Sequence, residues 1–218
     1  MEALESRDGR VRAQAVTSLI RRGPEGVPTL IEALRDSDKR VQYAAARSLG
    51  KLGSDAKAAA QPLVRALKSP SSDVRNAAAV ALGEIGAGGA GVGHTLGKLL
   101  DDPDDLVRVE GALALWKVGG EPKLLLPVLL NALRDPNPPV RVSAVRSLEE
   151  IGGDAVPALI GTLSDSDAEV RAWVAMILEE IGPGARPALR ALRRALRDDD
   201  EDVRVAASEA IKRIQDGD

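Results

Sequence analysis

The sequence predicts an all-α chain built from one repeated pair of helices, and three observations predict it. An apolar anchor recurs at Val11, Val41, Val74, Val107, Val140, Val170 and Val203, at intervals of 30 or 33 residues, a period typical of stacked helical repeats. Aromatic residues make up 1% of the chain, so its core must come from Ala, Val, Leu and Ile. After each anchor, apolar residues return at helical spacing rather than in the alternation of a strand.

Each repeat opens with an amphipathic first helix. Four positions after the anchor stand Ala15, Ala45, Ala78, Gly111, Ala144, Val174 and Ala207. Eight after it stand Leu19, Leu49, Leu82, Leu115, Leu148, Leu178 and Ile211. These offsets share one face at about 100° per residue, so Leu49, Leu82, Leu115, Leu148 and Leu178 are expected to be buried. Three before each anchor lie Asp8, Asp38, Ser71, Asp104, Asn137, Asp167 and Asp200. Their side chains can accept the free N–H groups of a helix start, which makes them candidate N-caps. Twelve after the anchor come Gly23, Gly53, Gly86, Gly119, Gly152 and Gly182, expected as left-handed helix stops.

A second helix follows each stop and ends at Leu34, Leu67, Leu100, Leu133, Leu163 and Leu196. Pro28, Pro127, Pro157 and Pro187 fall early in it, where a missing N–H removes only an unsatisfied donor. Seven first helices and six second helices are expected, forming a single repeat domain over residues 1–218.

Composition excludes several chemistries. There is no cysteine, hence no disulfide framework, no thiolate nucleophile and no cysteine-ligated metal. The one histidine, His94, cannot supply a multi-histidine metal site. No cofactor or metal is expected, and no catalytic residue is assigned. The first residues lack the apolar stretch of a secretory signal, and no run of about 18 apolar residues is present, so the chain is expected to be cytoplasmic and free of membrane.

The segments LRDSDKRVQYAAARSLGKLG and SDSDAEVRAWVAMILEEIGPGARPAL carry the pattern D-x-D-x-x-V-R, then Ala, Leu and (Ile/Leu)-Gly at helical spacing. The pattern resembles the short bacterial HEAT repeat, the phycobilisome-lyase HEAT-like class, over essentially the whole chain. The resemblance implies a right-handed α-α superhelix, a HEAT-like solenoid of about six helix pairs plus a terminal helix. It also implies a concave face lined by the second helices, and an aspartate–arginine ladder between repeats. That ladder would join Asp8, Asp38, Asp104, Asp167 and Asp200 with Arg12, Arg75, Arg108, Arg141, Arg171 and Arg204. Natural and designed arrays both keep such a period; the divergence between repeats here favours natural ancestry.

Other motifs have simpler readings. Gly86 to Gly91 matches G-x-G-x-x-G, but it follows a helix rather than a strand and reads as a loop. Aspartates at 101–105 and 198–202 fall at helix starts, where the macrodipole favours acids. Cations gather at the ends of second helices, among them Arg35, Arg65, Lys68, Lys98, Arg134 and Arg193. They could track phosphates as in HEAT-like alkylpurine DNA glycosylases. The net charge of −3 and the absence of an aromatic platform weigh against nucleic acid, and the macrodipole also favours cations there.

The expected function is a non-catalytic, monomeric protein–protein interaction scaffold that docks a peptide or protein on the concave face. The alternative is a HEAT-like subunit of a bilin lyase or isomerase acting on a chromophore–protein pair. In the second helix of repeat four, Leu126, Leu129, Leu130 and Leu133 form the expected core face, which turns Leu124, Val128 and Asn131 away from it. With Thr95 and Lys98 of repeat three and Gly161 of repeat five, these form the expected partner site. A secondary patch is expected at Leu106, Val109, Leu113 and Trp116 on the first helix of repeat four. Tyr43 and Trp173 are expected in grooves between repeats.

Overall fold

The structure is a computed structural model and describes residues 2–216. Among the described residues there are thirteen α-helices and no strand. The first helices are α1 (Gly9–Ser18), α3 (Lys39–Lys51), α5 (Ser72–Ile85), α7 (Asp105–Lys117), α9 (Pro138–Ile151), α11 (Ala168–Ile181) and α13 (Glu201–Gln215). The second helices are α2 (Val27–Ala33), α4 (Ala60–Ala66), α6 (Ala90–Gly97), α8 (Pro122–Ala132), α10 (Val156–Thr162) and α12 (Leu189–Ala195). Short 3₁₀ turns join several pairs, as at Gly53–Ala59 and Gly182–Ala188.

The chain divides into two compact units, Met1–Glu121 and Pro122–Asp218, so the boundary falls inside repeat four. In the first unit α1, α3, α5 and α7 pack in succession, with α2, α4 and α6 laid against α3, α5 and α7. In the second, α9, α11 and α13 pack in succession, with α8, α10 and α12 against the same three helices.

The seven expected N-caps all have extended backbone, and Asp8, Asp38, Asp104, Asp167 and Asp200 accept N–H groups of the turn they begin. Ser71 and Asn137 make no side-chain cap bond. At Asn137 the next two residues are Pro138 and Pro139, which carry no N–H to accept. The glycine stop is left-handed in φ at all six positions, from Gly23 to Gly182. A side chain with a Cβ adopts that region only at a cost.

Leu49, Leu82, Leu115, Leu148 and Leu178 are buried as expected. So are all the anchor valines except Val11, which is exposed. Small residues bring neighbouring first helices together: a Cβ on Gly50 would stand 3.0 Å from the Ala81 Cα, and one on Gly83 would stand 3.2 Å from the Ala114 Cα.

The ladder differs from the expectation in its acid. The caps are occupied by their own helix starts, and the ladder arginines bind the aspartate two residues before the next cap. Arg12 holds Asp36 through bonds of 2.8 and 2.7 Å. Arg75 holds Asp102 at 2.8 and 2.7 Å, and Arg171 holds Asp198 at 2.8 and 2.6 Å. Each arginine also donates to the carbonyl six residues back, Ser6, Ser69 and Asp165 respectively. Elsewhere the guanidinium finds other partners: Arg108 pairs with Asp105, and Asp165 is met by Arg134.

Candidate partner-binding surface

The helix α8 carries three of the expected site residues, but its buried face is rotated from the expected one. Leu125, Leu126, Leu129, Ala132 and Leu133 are buried, and Leu130 is only half-buried. The core direction therefore centres on Leu129. At about 100° per residue, Leu124, Pro127 and Asn131 lie roughly 140–160° from it, and Val128 and Leu130 lie on the two flanks. Exposure follows this geometry. Leu124 is 56% exposed, Pro127 and Asn131 are exposed, and Val128 is half-buried. The outward face is thus Leu124, Pro127 and Asn131, with Val128 at its edge. Pro127 was missed because its early position in the helix explained it locally.

The remaining site residues lie on other elements. Thr95 is half-buried in α6 and donates its hydroxyl to the Gly91 carbonyl at 2.9 Å, while Lys98 is exposed just beyond that helix. Both belong to the first unit. Gly161 is exposed in α10 of the second unit.

The secondary patch needs a correction. Val109 is 1% exposed and presents no surface to a partner, while Leu106, Leu113 and Trp116 are half-buried. The register was informative but the repeat was not. Val142 and Val205, at the same offset from their anchors as Val109, are 48% and 50% exposed. Between α11 and α13, exposed Met176 and Val205 line a groove of about 420 Å³ with Trp173, under Glu169, Asp202 and Glu209. Tyr43 lines the corresponding groove between α1 and α3, with the Arg47 guanidinium 5.7 Å over its ring. Both aromatics therefore occupy grooves between repeats, as expected.

The shifted carboxyls have structural causes. The Arg12 bond holds Asp36 below the ordinary aspartate value, and Arg171 does the same for Asp198. Burial pushes Asp102 up, but Arg75, the Asp104 N–H and Arg108 outweigh it and leave it low. The Arg40 bonds bring Asp38 down to about 2. His94 is exposed, and the glycine-rich segment joins α5 to α6, helix to helix. Among the described residues no three His, Cys, Asp or Glu side chains gather as a metal site would require, and no helix is long and apolar enough to cross a membrane.

A family profile described as HEAT repeats matches residues 1–83, 54–116 and 126–212. The chain belongs to the HEAT-repeat family. Its fold is an α-solenoid, and the resemblance read from the sequence is borne out. Among solved structures, this HEAT-repeat chain is similar to an engineered protein at 26% identity, over 98% of this chain and 67% of that one, with a TM-score of 0.56. It is also similar to the complex of CpcE and CpcF of phycocyanin lyase from Nostoc sp. PCC7120, at 23% identity over 98% and 92% of the two chains, with a TM-score of 0.55. An archaeal HEAT-like repeats protein from Thermococcus onnurineus NA1 matches at 17% identity over 99% and 95%, with a TM-score of 0.52. The last two likenesses are of fold alone. No curated protein matches the HEAT-repeat chain in sequence.

Proposed function

We propose that the chain is a non-catalytic, monomeric interaction scaffold that docks a peptide or protein on the face formed by its second helices. The observation that carries this reading is Leu124, a large apolar side chain 56% exposed on a helix packed against α9, with exposed Asn131 two turns along. An apolar anchor beside a polar group is the usual arrangement of an interface centre and its rim. A helix held by its neighbours presents that anchor with little ordering cost on binding. In this reading Val128 and Gly161 contribute to the docking surface of the second unit, and Thr95 and Lys98 to that of the first. The ladder supports a structural role for the charged residues of the loops, since its carboxylates are engaged in holding repeats together.

The test is a peptide-display selection on the purified chain, followed by binding of the selected peptides to Leu124→Arg and Trp116→Arg. Loss of binding on Leu124→Arg, with an unchanged circular-dichroism melt, supports the second-helix face. Binding that survives Leu124→Arg and is lost on Trp116→Arg moves the site to the first helices.

A further inference from the structure

One junction of the first unit breaks the ladder at both ends. Where six repeats carry arginine after the anchor, the second carries Gln42. Where its partner aspartate would stand, 27 residues on by the spacing of Arg75 and Asp102, the third repeat carries Ser69. Gln42 keeps half of the arginine's role, donating to the Asp36 carbonyl at 2.7 Å. Ser69 keeps half of the aspartate's, accepting the Ser71 N–H at 3.3 Å. Neither supplies the charge that joins the repeats elsewhere.

A groove of about 480 Å³ lies at this junction, lined by Gln42, Ser69 and four cations, Arg35, Lys39, Arg65 and Lys68. No carboxylate is among its lining residues, and among the described residues none of the four cations takes part in an ion pair. Arg35, Arg65 and Lys68 follow or close α2 and α4, where helix carbonyls favour a cation. Lys39 has no such explanation. It is the first residue of α3, at the positive end of the helix. The other first helices begin with Gly9, Ser72, Asp105, Pro138, Ala168 and Glu201, none of them cationic. A charge placed against the local preference, and left unpaired, points to a purpose outside the chain.

We infer that this groove docks an acidic peptide segment of a partner protein. Charge complementarity selects the sign, because four unpaired cations surround a site from which the ladder's own acid has been removed. The apolar floor of Leu34 and Pro62 selects a peptide over a nucleic acid, since no aromatic ring lines the groove for a base to stack on. Such a segment would present carboxylates to the rim and apolar side chains to the floor. The inference does not rest on the second-helix face around Leu124, which lies in the other unit.

The experiment uses the full chain and a short fluorescein-labelled peptide of alternating Glu and Leu, read by anisotropy. Saturable binding is expected, weakening with salt as exposed charge pairs do. Lys39→Glu with Lys68→Glu should lower affinity by roughly tenfold or more, as mutated interface charges do. Lys57→Glu with Lys212→Glu makes the same change in net charge outside the groove and should leave binding unchanged. Gln42→Arg with Ser69→Asp should rebuild the pair seen at Arg75 and Asp102, close the groove, raise the melting temperature and abolish peptide binding. Leu124→Arg should have no effect on this peptide, which separates the two sites. Three results would each overturn the inference: no saturable binding by the parent chain, equal losses in the groove and control variants, or displacement of the peptide by a thymidine oligonucleotide that binds more tightly. Unchanged binding by the rebuilt-pair variant would overturn it as well.

Discussion

Arg75 reaches across one repeat to Asp102, donating two bonds of 2.8 and 2.7 Å, while Asp102 accepts the Asp104 N–H at 3.0 Å. One guanidinium therefore holds the next repeat's loop and orients the cap that starts its first helix. Its third bond, to the Ser69 carbonyl at 3.0 Å, ties in the loop of its own repeat. Both side chains are largely buried, so neither charge is readily compensated by water if the other is removed.

Asp102→Ala is expected to lower stability by about 2–4 kcal/mol, since it leaves a buried guanidinium without its acid. The pH dependence follows from the depressed carboxyl. A group whose folded pKa lies below its unfolded value contributes stability above the unfolded value and loses it as pH falls through the folded one. Urea titrations from neutral pH into the acid range should show the parent losing stability below the ordinary aspartate range. Asp102→Asn should flatten that part of the curve.

Gly111→Ala tests the tight fit at offset four. A Cβ there would stand 2.7 Å from the Leu99 Cβ and 3.2 Å from its Cδ1. Overpacking of this kind costs about 1–3 kcal/mol, which exceeds the gain of about 1 kcal/mol from replacing a helical glycine. A net loss is expected in denaturant unfolding, and Leu99→Ala in the same chain should relieve part of it. Gly97→Ala, where a Cβ would meet nothing within 4 Å, should instead stabilise.

Leu82→Ala and Ile211→Ala remove side chains at the same offset in different surroundings. Leu82 is fully buried between neighbouring repeats, whereas Ile211, in the last helix, is half-buried. Leu82→Ala should cost about 2–5 kcal/mol, and Ile211→Ala distinctly less. Equal losses in thermal or chemical unfolding would show that the cost at this offset does not follow burial.

Glu149→Gln should stabilise the chain at neutral pH. Burial and then the charge of Glu180 raise the Glu149 carboxyl above its ordinary value, against the opposing pull of Arg146. With the folded pKa above the unfolded one, stability falls as pH rises from the unfolded value through the folded one. The amide removes that penalty, and a gain of up to about 1 kcal/mol is expected. Differential scanning calorimetry at neutral and mildly acidic pH checks it: the gain should shrink in acid.

Much of the fold was legible because it is local. The cap at Asp38, the stop at Gly53 and the burial of Leu49 each depend on backbone geometry within a few turns, and a seven-fold repetition makes such signals easy to read. The site was less legible, and α8 shows why. Five leucines and a valine within the seven residues 124–130 allow more than one buried direction. The packing placed Leu125 inside and Val128 at the edge.

By itself the sequence determined the repeat, the helix pairs, the starts and stops of the first helices, and the burial of the leucine eight after the anchor, since all of these follow from the chain's own period. Tertiary structure decided which acid the ladder arginines hold. Both aspartates of the D-x-D pattern have the right chemistry, but the second is already committed to capping its own helix, so Arg12, Arg75 and Arg171 take the first. Tertiary structure also buried Val109 while exposing Val142 and Val205, and it turned the paired departures at Gln42 and Ser69 into a groove. For the ladder, the acid that each arginine holds lies 24 or 27 residues along the chain, beyond the reach of a periodicity that reports only how a helix faces itself.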